Sequence, residues 1–176
     1  MIDFSRNHFE LLGLPARFHI DASQLDRAYR ELQGEVHPDR HASAGDAERR
    51  LALQASARVN EAYCTLRDAM LRAQYLLSLH GIDAQDETDT ALSLEFLESA
   101  LERREEVADA AARKDEAALD ALLKDVRAEA RTREAELEHL LDDERTWEIA
   151  RQKVRELKFL AKLAEDIDAA MDEVDT

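Results

Sequence analysis

The apolar residues of this chain recur every three or four positions along most of its length, which is the spacing of one face of an α-helix. An early stripe of this kind comprises Leu25, Ala28, Tyr29, Leu32 and Val36. A second stripe of similar length comprises Ala52, Ala55, Val59, Ala62 and Leu66. The two stripes predict two helices that pack against each other as an antiparallel hairpin, in which the alanines allow a close approach.

A short helix is expected before this hairpin and another after it. The segment 7–14 (NHFELLGL) predicts a short helix that Gly13 and Pro15 close, because both residues disfavour its continuation. The segment 70–81 (MLRAQYLLSLHG) predicts a helix that ends at its last residue, a glycine. These four helices are expected to form one domain, residues 1–81.

The next segment, 82–90 (IDAQDETDT), is polar, acidic and aperiodic, so we expect it to link the first domain to a second one, residues 91–176. In the second domain the helical spacing is almost uninterrupted and the polar connections are short, which predicts a three-helix bundle. The predicted bundle helices cover about residues 91–112, 115–141 and 143–173. The predicted fold class is therefore all-α.

Apolar stripes also suggest which side of each bundle helix is buried. In the first bundle helix the stripe comprises Leu94, Leu97, Leu101 and Ala108. In the last bundle helix it includes Val154, Leu157, Ala161 and Ala164. Phe159 lies off that stripe, and an exposed aromatic residue of this kind suggests a binding contact. Periodicity does not distinguish a core face from a contact face, so Leu97 and Leu101 are interpreted as either.

Composition supports the all-α prediction and limits the possible partners. Residues that disfavour helix are scarce, with 4 glycines and 2 prolines among 176 residues. The formal net charge is −16, from 40 acidic and 24 basic residues. A surface this acidic repels phosphate backbones and anionic lipids, which argues against a nucleic acid or a membrane as the partner.

Other features are typical of a cytoplasmic protein. No stretch approaches the roughly 18 consecutive apolar residues of a transmembrane helix. The first residues lack the basic and continuous apolar regions of a signal peptide. The single cysteine, Cys64, excludes an intramolecular disulfide, and we interpret it as a small core or boundary residue.

The connection between the two hairpin helices contains the motif His37-Pro38-Asp39. Pro38 has no backbone N–H and disfavours helical geometry at the residue before it, so the first hairpin helix should end there. The motif is therefore expected at the exposed tip of the hairpin, on a loop with restricted backbone freedom.

This arrangement resembles the J domain, a module that recruits a 70-kDa heat-shock chaperone and stimulates its ATPase. The resemblance includes Tyr29 before the motif and the run VNEAYCTLRD (59–68) after it. The chain also resembles the HscB family, the J-domain co-chaperones of bacterial iron–sulfur cluster assembly, over essentially its whole length. The segments concerned are HFELLGLPARFHID (8–21), RAQYLLSLHG (72–81) and RELKFLAKL (155–163).

The resemblance implies a co-chaperone that is not itself an enzyme and needs no cofactor. It would bind the scaffold protein (IscU type) on which iron–sulfur clusters are assembled. It would deliver that scaffold to a specialised 70-kDa heat-shock chaperone (HscA type) and stimulate the chaperone's ATPase. A J-domain protein with a different client is the alternative that stays open.

Chaperone binding is implied for the motif and for nearby arginines. The residues concerned are His37, Pro38, Asp39, Arg27, Arg30 and Arg40. Asp39 would offer a carboxylate to an arginine of the chaperone, and Pro38 would preset the backbone and lower the ordering cost of binding. Gly34 and Glu35 depart from the family pattern, because basic or neutral polar residues are common at these positions.

Scaffold binding is implied for one surface of the C-terminal bundle. The residues concerned are Leu97, Leu101, Glu102, Glu105 and Phe159. Leu97, Leu101 and Glu105 are spaced by four residues and therefore share one helix face. Glu98 departs from the family pattern, in which this position is usually apolar. The contact would then be more electrostatic and more sensitive to salt.

The remaining alternative is an unusual metal-dependent enzyme that uses His37 and Asp39. His41 would be a third ligand of such a metal site, and no further ligand is evident in the sequence. The alternation of these residues at every second position suits a strand better than a loop. We therefore predict neither a metal site nor a catalytic residue.

Overall fold

The computed structural model describes four stretches of the chain, residues 3–37, 45–84, 92–144 and 146–174. Every regular element in these stretches is helical and none is a strand, which confirms the predicted all-α fold. The elements are α1 (His8–Leu11), α2 (Ala22–Val36), α3 (Asp46–Arg67), α4 (Ala69–Leu79), α5 (Leu94–Ala112), α6 (Glu116–Glu138), a π-helical turn (His139–Glu144) and α7 (Trp147–Val174). The chain divides into two compact units, Met1–Leu76 and Leu77–Thr176.

Local interactions determine both ends of α2. At its start the Asp21 carboxylate accepts hydrogen bonds from the backbone N–H groups of Ser23 (2.8 Å) and Gln24 (3.3 Å). The hydrogen bond from the Ser23 hydroxyl, together with these backbone bonds, lowers the pKa of the Asp21 carboxyl. At the other end His37 is extended (φ −58°, ψ 129°), as expected for a residue before proline. The predicted end of this helix is therefore confirmed.

A row of side-chain hydrogen bonds, the α2–α3 seam, joins the two hairpin helices. The seam comprises Asp26, Tyr29 and Gln33 on α2 and Ser56, Asn60 and Tyr63 on α3. The Tyr29 hydroxyl donates to Asn60 Oδ1 at 2.8 Å, and the Tyr63 hydroxyl donates to Asp26 Oδ1 at 2.8 Å. The Ser56 hydroxyl donates to Gln33 Oε1 at 3.2 Å. Partner numbers fall along α3 as they rise along α2, so the helices are antiparallel, as predicted.

The two tyrosines of the seam also contact each other through their rings. The rings of Tyr29 and Tyr63 stack with centroids 4.1 Å apart. The hydrogen bond to the Asp26 carboxylate raises the pKa of the Tyr63 hydroxyl, because it stabilises the protonated form. Ring stacking and hydrogen bonding together hold these side chains in one arrangement.

Apolar packing completes the hairpin. The predicted α3 stripe is buried at all five positions: Ala52, Ala55, Val59, Ala62 and Leu66. On α2 the predicted stripe is fully buried at Leu25 and Val36, and its other members are half-buried. Because three of the buried α3 residues are alanines, α2 can approach α3 closely enough for the seam to form.

Glycines end two helices of the described chain where the sequence predicts an end. Gly13 (φ 64°) follows α1 and Gly81 (φ 76°) follows α4. In both turns the glycine and the next residue donate backbone hydrogen bonds to carbonyls of the last helical turn. A left-handed backbone of this kind suits glycine, which has no Cβ. Beyond Gly81, residues 85–90 of the predicted linker lie outside the described residues.

In the second unit, α5, α6 and α7 pack against one another and form the predicted three-helix bundle. Branched aliphatic residues and one alanine form a contiguous core between them. This core comprises Val107, Ala110, Leu119, Leu123, Val126, Leu160, Leu163 and Ile167. A cluster of this size stabilises the bundle chiefly by removing apolar surface from water.

The buried face of α5 differs from the stripe that the sequence predicts. Its buried residues are Phe96, Ala100, Val107 and Ala110. The members of the predicted stripe, Leu94, Leu97, Leu101 and Ala108, are exposed. The helix carries apolar residues at helical spacing on two faces, and the face with small alanines packs more closely against the neighbouring helices.

The buried face of α7 is also shifted from the predicted stripe. Leu160 and Leu163 are buried, whereas Ala161 and Ala164 are half-buried. Because α7 contacts both α5 and α6, it needs a wider apolar face than a single narrow stripe provides.

An ion network links the bundle helices at Arg133 of α6. Its guanidinium Nε lies 2.8 Å from the Glu156 carboxylate of α7, and its Nη atoms lie 3.2 Å from Glu129 and 3.2 Å from Glu136. Lys153 Nζ lies 3.1 Å from the same Glu156 carboxylate. Glu156 is only 7% exposed, so two cations offset the cost of burying its charge.

Two further features are an aromatic stack within the second unit and the low hydropathy of the described helices. His80 stacks on Trp147 at the start of α7, with ring centroids 3.9 Å apart. No helix among the described residues is both long and apolar enough to cross a membrane.

A buried histidine in the first unit makes stability depend on pH. His8 is 4% exposed, and its ring stacks on Tyr75 at 4.2 Å. Its Nδ1 atom has no hydrogen-bond partner among the described residues. Burial, followed by the nearby Arg58 cation, lowers the pKa of the His8 imidazole below its ordinary value of 6.5.

We expect His8→Phe to make the free energy of unfolding less sensitive to acid. Since the unfolded chain binds the proton more readily, the folded protein loses stability as the pH falls below 6.5. Phenylalanine retains a ring beside Tyr75 and cannot titrate. Urea denaturation on both sides of that pH measures the difference, and equal losses in the two proteins would contradict this role for His8.

Candidate functional site

The first candidate surface surrounds the C-terminal end of α2. His37 is exposed directly after the last residue of this helix, as the sequence predicts. The other motif residues, Pro38 and Asp39, lie outside the described residues, as does Arg40. Their predicted contacts with a chaperone therefore stay predictions, whereas the position of His37 can be related to its neighbours.

His37 and Arg30 line the same shallow depression between α2 and α3. The depression is lined by Tyr29, Arg30, Gln33, Gly34, His37, Ser56 and Asn60. Four of these residues belong to the α2–α3 seam, so hydrogen bonds between them hold much of the lining of the depression in place. The structure thus brings together two of the predicted chaperone-binding residues, although they are seven positions apart.

Arg27 is exposed on α2 one helical turn before Arg30, where the two side chains are neighbours on the helix surface. The Arg30 Nε atom donates to the Asp26 carbonyl at 3.2 Å, which orients its side chain along the helix. Glu31 and Glu35 are exposed on the same helix. The positive surface is therefore confined to one side of α2, next to acidic residues.

The alternative metal site at His37, Asp39 and His41 lies only partly within the described residues. No group of three or more histidine, cysteine, aspartate or glutamate side chains there could hold a metal ion. Two residues of the hypothetical site, Asp39 and His41, lie outside the described residues. Cys64 is exposed, so its interpretation as a core or boundary residue is wrong.

The second candidate surface is an apolar row on α5. Leu94, Leu97 and Leu101 are 71%, 45% and 60% exposed. Their spacing of three and four places them on one side of the helix, away from the buried residues. Leu97 and Leu101 are therefore not bundle core, which removes the first of the two interpretations that the sequence leaves open. Exposed leucines in a row are typical of a protein-binding surface.

Acidic side chains accompany this leucine row. Glu98, Glu102 and Glu105 are all exposed on α5. Glu105 follows Leu101 by four residues and continues the leucine side, whereas Glu98 and Glu102 flank it. An apolar centre with carboxylates at its edge fits a partner surface that is apolar in the middle and basic around it.

Phe159 of α7 is half-buried rather than fully exposed. Its ring meets the Phe96 ring edge to face, with centroids 5.6 Å apart. The Arg104 guanidinium lies over the same ring, 5.0 Å from its centroid. Phe159 therefore joins α5 to α7 in addition to any contact that it makes with a partner.

Two residues of this surface are missing from the predicted site. Leu94 is the most exposed of the three leucines, and its spacing from Leu97 and Leu101 could have placed it there. Arg104 precedes Glu105 and covers Phe159, a contact that no sequence pattern indicates.

Comparisons with known families match both parts of the chain. A model of the DnaJ domain matches residues 7–75. A model described as the HSCB C-terminal oligomerisation domain matches residues 92–168. The first match contains the hairpin and the His37 depression, and the second contains the leucine row and Phe159.

Individual relatives match over nearly the full length. A Burkholderia multivorans protein named "Co-chaperone protein HscB homolog" is 46% identical over 176 residues, covering 100% of both chains. The solved structure of chaperone HscB from Vibrio cholerae has a TM-score of 0.84 and 40% identity, covering 96% of this chain and 99% of that one. The human co-chaperone HscB structure has a TM-score of 0.89 and 28% identity, covering 95% and 83% respectively.

We expect Leu97→Ala combined with Leu101→Ala to leave the fold intact. Because both side chains are exposed, their truncation should change the free energy of unfolding by less than about 1 kcal/mol. The matched control is Leu123→Ala at a core position that is 5% exposed. It should cost about 2–5 kcal/mol. Chemical denaturation measures both, and a comparable loss in the double variant would assign the leucines to the core.

Proposed function

Because this chain belongs to the HscB family of co-chaperones, we propose that it connects an iron–sulfur scaffold protein to a 70-kDa chaperone. The first unit binds an HscA-type chaperone through its J domain and stimulates that chaperone's ATPase. The second unit binds an IscU-type scaffold. The protein acts in the cytoplasm and serves cluster transfer and the maturation of iron–sulfur proteins.

The observation that carries this proposal is the exposed leucine row in a chain with a J-domain hairpin. A co-chaperone of this kind needs two separate binding surfaces, one for the chaperone and one for the client. His37 and Arg30 provide a polar surface on the first unit, and Arg30 gives it a positive charge. Leu97 and Leu101 provide an apolar surface on the second.

Chaperone binding is assigned to His37, Pro38 and Asp39, with help from Arg27, Arg30 and Arg40. The exposed imidazole of His37 follows a fixed helix end and can donate a hydrogen bond with little ordering of the backbone. Arg27 and Arg30 attract an acidic surface and increase the association rate. The nucleotide and its chemistry belong to the chaperone, so this chain acts by binding and not by catalysis.

Scaffold binding is assigned to Leu97, Leu101, Glu102, Glu105 and Phe159. Burial of the leucine row against the scaffold supplies apolar contact area, and the acidic residues select a basic edge. The exposed Glu98 adds a further carboxylate beside the leucines. The association should therefore weaken as salt screens these charges.

We expect His37→Gln to lower stimulation of the chaperone's ATPase about tenfold or more, since a hydrogen bond at the centre of an interface is lost. The readout is steady-state ATP turnover by the chaperone at increasing concentrations of this protein. His19→Gln is the matched control, because it makes the same change at another exposed position of the first unit. Full stimulation by the His37 variant would refute the assignment of chaperone binding to this residue.

The double variant Leu97→Ala, Leu101→Ala should bind the scaffold at least about tenfold more weakly, because two apolar contacts are truncated. Isothermal titration with the purified scaffold measures the dissociation constant. Leu51→Ala combined with Leu53→Ala is the control, since these leucines are exposed on the first unit. A wild-type protein that fails to bind the scaffold would instead favour a different client.

A further inference from the structure

A groove that none of the assigned binding surfaces includes opens on the first unit, beside the end of α2. Its walls are the segment before α1 together with α1, the last turns of α2 and the first turns of α3. It encloses about 660 Å³, a volume within the range of roughly 300–1,000 Å³ that is usual for binding pockets. Among the described residues it has no lining residue in common with the depression beside His37, so it is a separate surface of the hairpin.

The floor of the groove is apolar. Its residues are Leu11, Leu32, Val36, Ala52 and Ala55. All five are buried or half-buried, so the floor belongs to the packed part of the first unit. The two alanines are one helical turn apart on α3, and their single methyl groups leave unfilled the volume that larger side chains would occupy.

Two large apolar side chains lie at the mouth of the groove and remain in contact with water. Phe4 and Leu51 line the groove, and both are 46% exposed. Both also line a neighbouring recess along α3, so the exposed apolar surface continues beyond the groove. An apolar groove with exposed apolar residues at its mouth is typical of a protein-binding surface.

The wall formed by the segment before α1 is held by local hydrogen bonds. Asp3 Oδ1 accepts hydrogen bonds from the Ser5 backbone N–H at 3.0 Å and from the Ser5 hydroxyl at 2.6 Å. Directly after this turn, Asn7 and Glu10 form a reciprocal capping box at the start of α1. Because these contacts order the wall before a partner arrives, they lower the entropic cost of binding.

The edge of the groove is acidic, since three of its four charged lining residues carry carboxylates. Arg6 Nε lies 3.8 Å from Asp3 Oδ2, so these two opposite charges largely offset each other. The remaining negative charge comes from Glu35 near the end of α2 and Glu48 in the first turn of α3, and both are exposed. Such a groove complements an apolar side chain that has a lysine or arginine beside it.

The position of the groove indicates which partner reaches it. Glu35 and Val36 line the groove and directly precede His37, to which chaperone binding is assigned. A partner that contacts His37 therefore lies within one or two residues of the groove. The leucine row that is assigned to the scaffold belongs to the other unit.

We propose that the groove takes an apolar side chain of the chaperone, and that a lysine or arginine beside that side chain pairs with Glu35. This inference rests on the proposed function and specifies a second contact between the first unit and its chaperone. It gives a role to Glu35, which departs from the pattern of the resembled family. The groove selects a chaperone that carries this apolar–basic pair over one whose matching surface is acidic.

Leu51→Gln tests the apolar part of the contact. Because a leucine side chain is then no longer buried against the chaperone, the concentration of this protein that gives half-maximal ATPase stimulation should rise about tenfold. Leu53→Gln is the matched control, since Leu53 is 56% exposed on the same helix and does not line the groove. Both variants should keep the melting temperature within about 2 °C of the wild-type value, because both leucines are exposed. Equal half-maximal concentrations for the two variants would overturn the inference.

Glu35→Lys tests the charged part, and the direction of its effect decides. If the chaperone presents a basic residue, this change should raise the half-maximal concentration about threefold or more at low salt, and less at high salt because ions screen the repulsion. An unchanged or lower value would overturn the inference. Glu31→Lys makes the same change one helical turn earlier, outside the groove, and should have a smaller effect. If Leu51→Gln fails to fold, Glu35→Lys decides alone.

The same variants distinguish the possible occupants of the groove. Leu51→Gln should leave unchanged the affinity for the scaffold, measured by isothermal titration, and the sedimentation coefficient of the protein alone. Weaker scaffold binding or a loss of self-association would assign the groove to the scaffold or to a second copy of this chain, and would overturn the inference.

Failure of the inference is distinguishable from failure of the proposed function. Wild-type stimulation by both Leu51→Gln and Glu35→Lys would overturn the inference and leave the proposed function standing. A wild-type protein that does not stimulate the chaperone at all would overturn both.

Discussion

The α2–α3 seam is the interaction on which the J-domain surface depends. It joins the helices through side chains that hydrogen-bond to each other across the hairpin, from Asp26 and Tyr63 to Gln33 and Ser56. Apolar packing alone would permit the helices to slide or rotate slightly, whereas directional bonds fix their register. Because four residues of the seam also line the depression beside His37, the same bonds that hold the hairpin also shape this candidate surface.

The second unit is stabilised differently. On α5 the buried residues are Phe96, Ala100, Val107 and Ala110, whereas the leucines of that helix remain exposed. The Arg133 network contributes directional contacts between α6 and α7, around the buried Glu156 carboxylate. With α6 and α7 held in this way, α5 can expose a leucine row without loss of the bundle.

Periodicity predicted the helices well but not every buried face. On α3 the only apolar stripe is the core stripe, and all five predicted residues from Ala52 to Leu66 are buried. On α5 two faces carry apolar residues at helical spacing, and the spacing alone does not show which of the two faces is buried. Because α5 packs against both α6 and α7, the face that contains Phe96 and Ala100 is the buried one. The π-helical turn after α6 was not predicted, because no local residue pattern distinguishes it from a continued helix.

The candidate site could be predicted only in part for the same reason. The resemblance to a family supplied Leu97 and Leu101, and only the three-dimensional packing shows that they are exposed. The depression beside His37 is lined by residues of both hairpin helices, so the sequence of either helix alone does not predict it. Arg104 over Phe159 is likewise a tertiary contact between distant positions.

The stack of His80 on Trp147 provides a built-in optical probe. Trp147 is the single tryptophan of the chain and belongs to the second unit. Its fluorescence emission therefore follows the environment of the bundle, whereas far-ultraviolet circular dichroism sums the helices of both units. Agreement or disagreement between the two signals during denaturation distinguishes one cooperative transition from two.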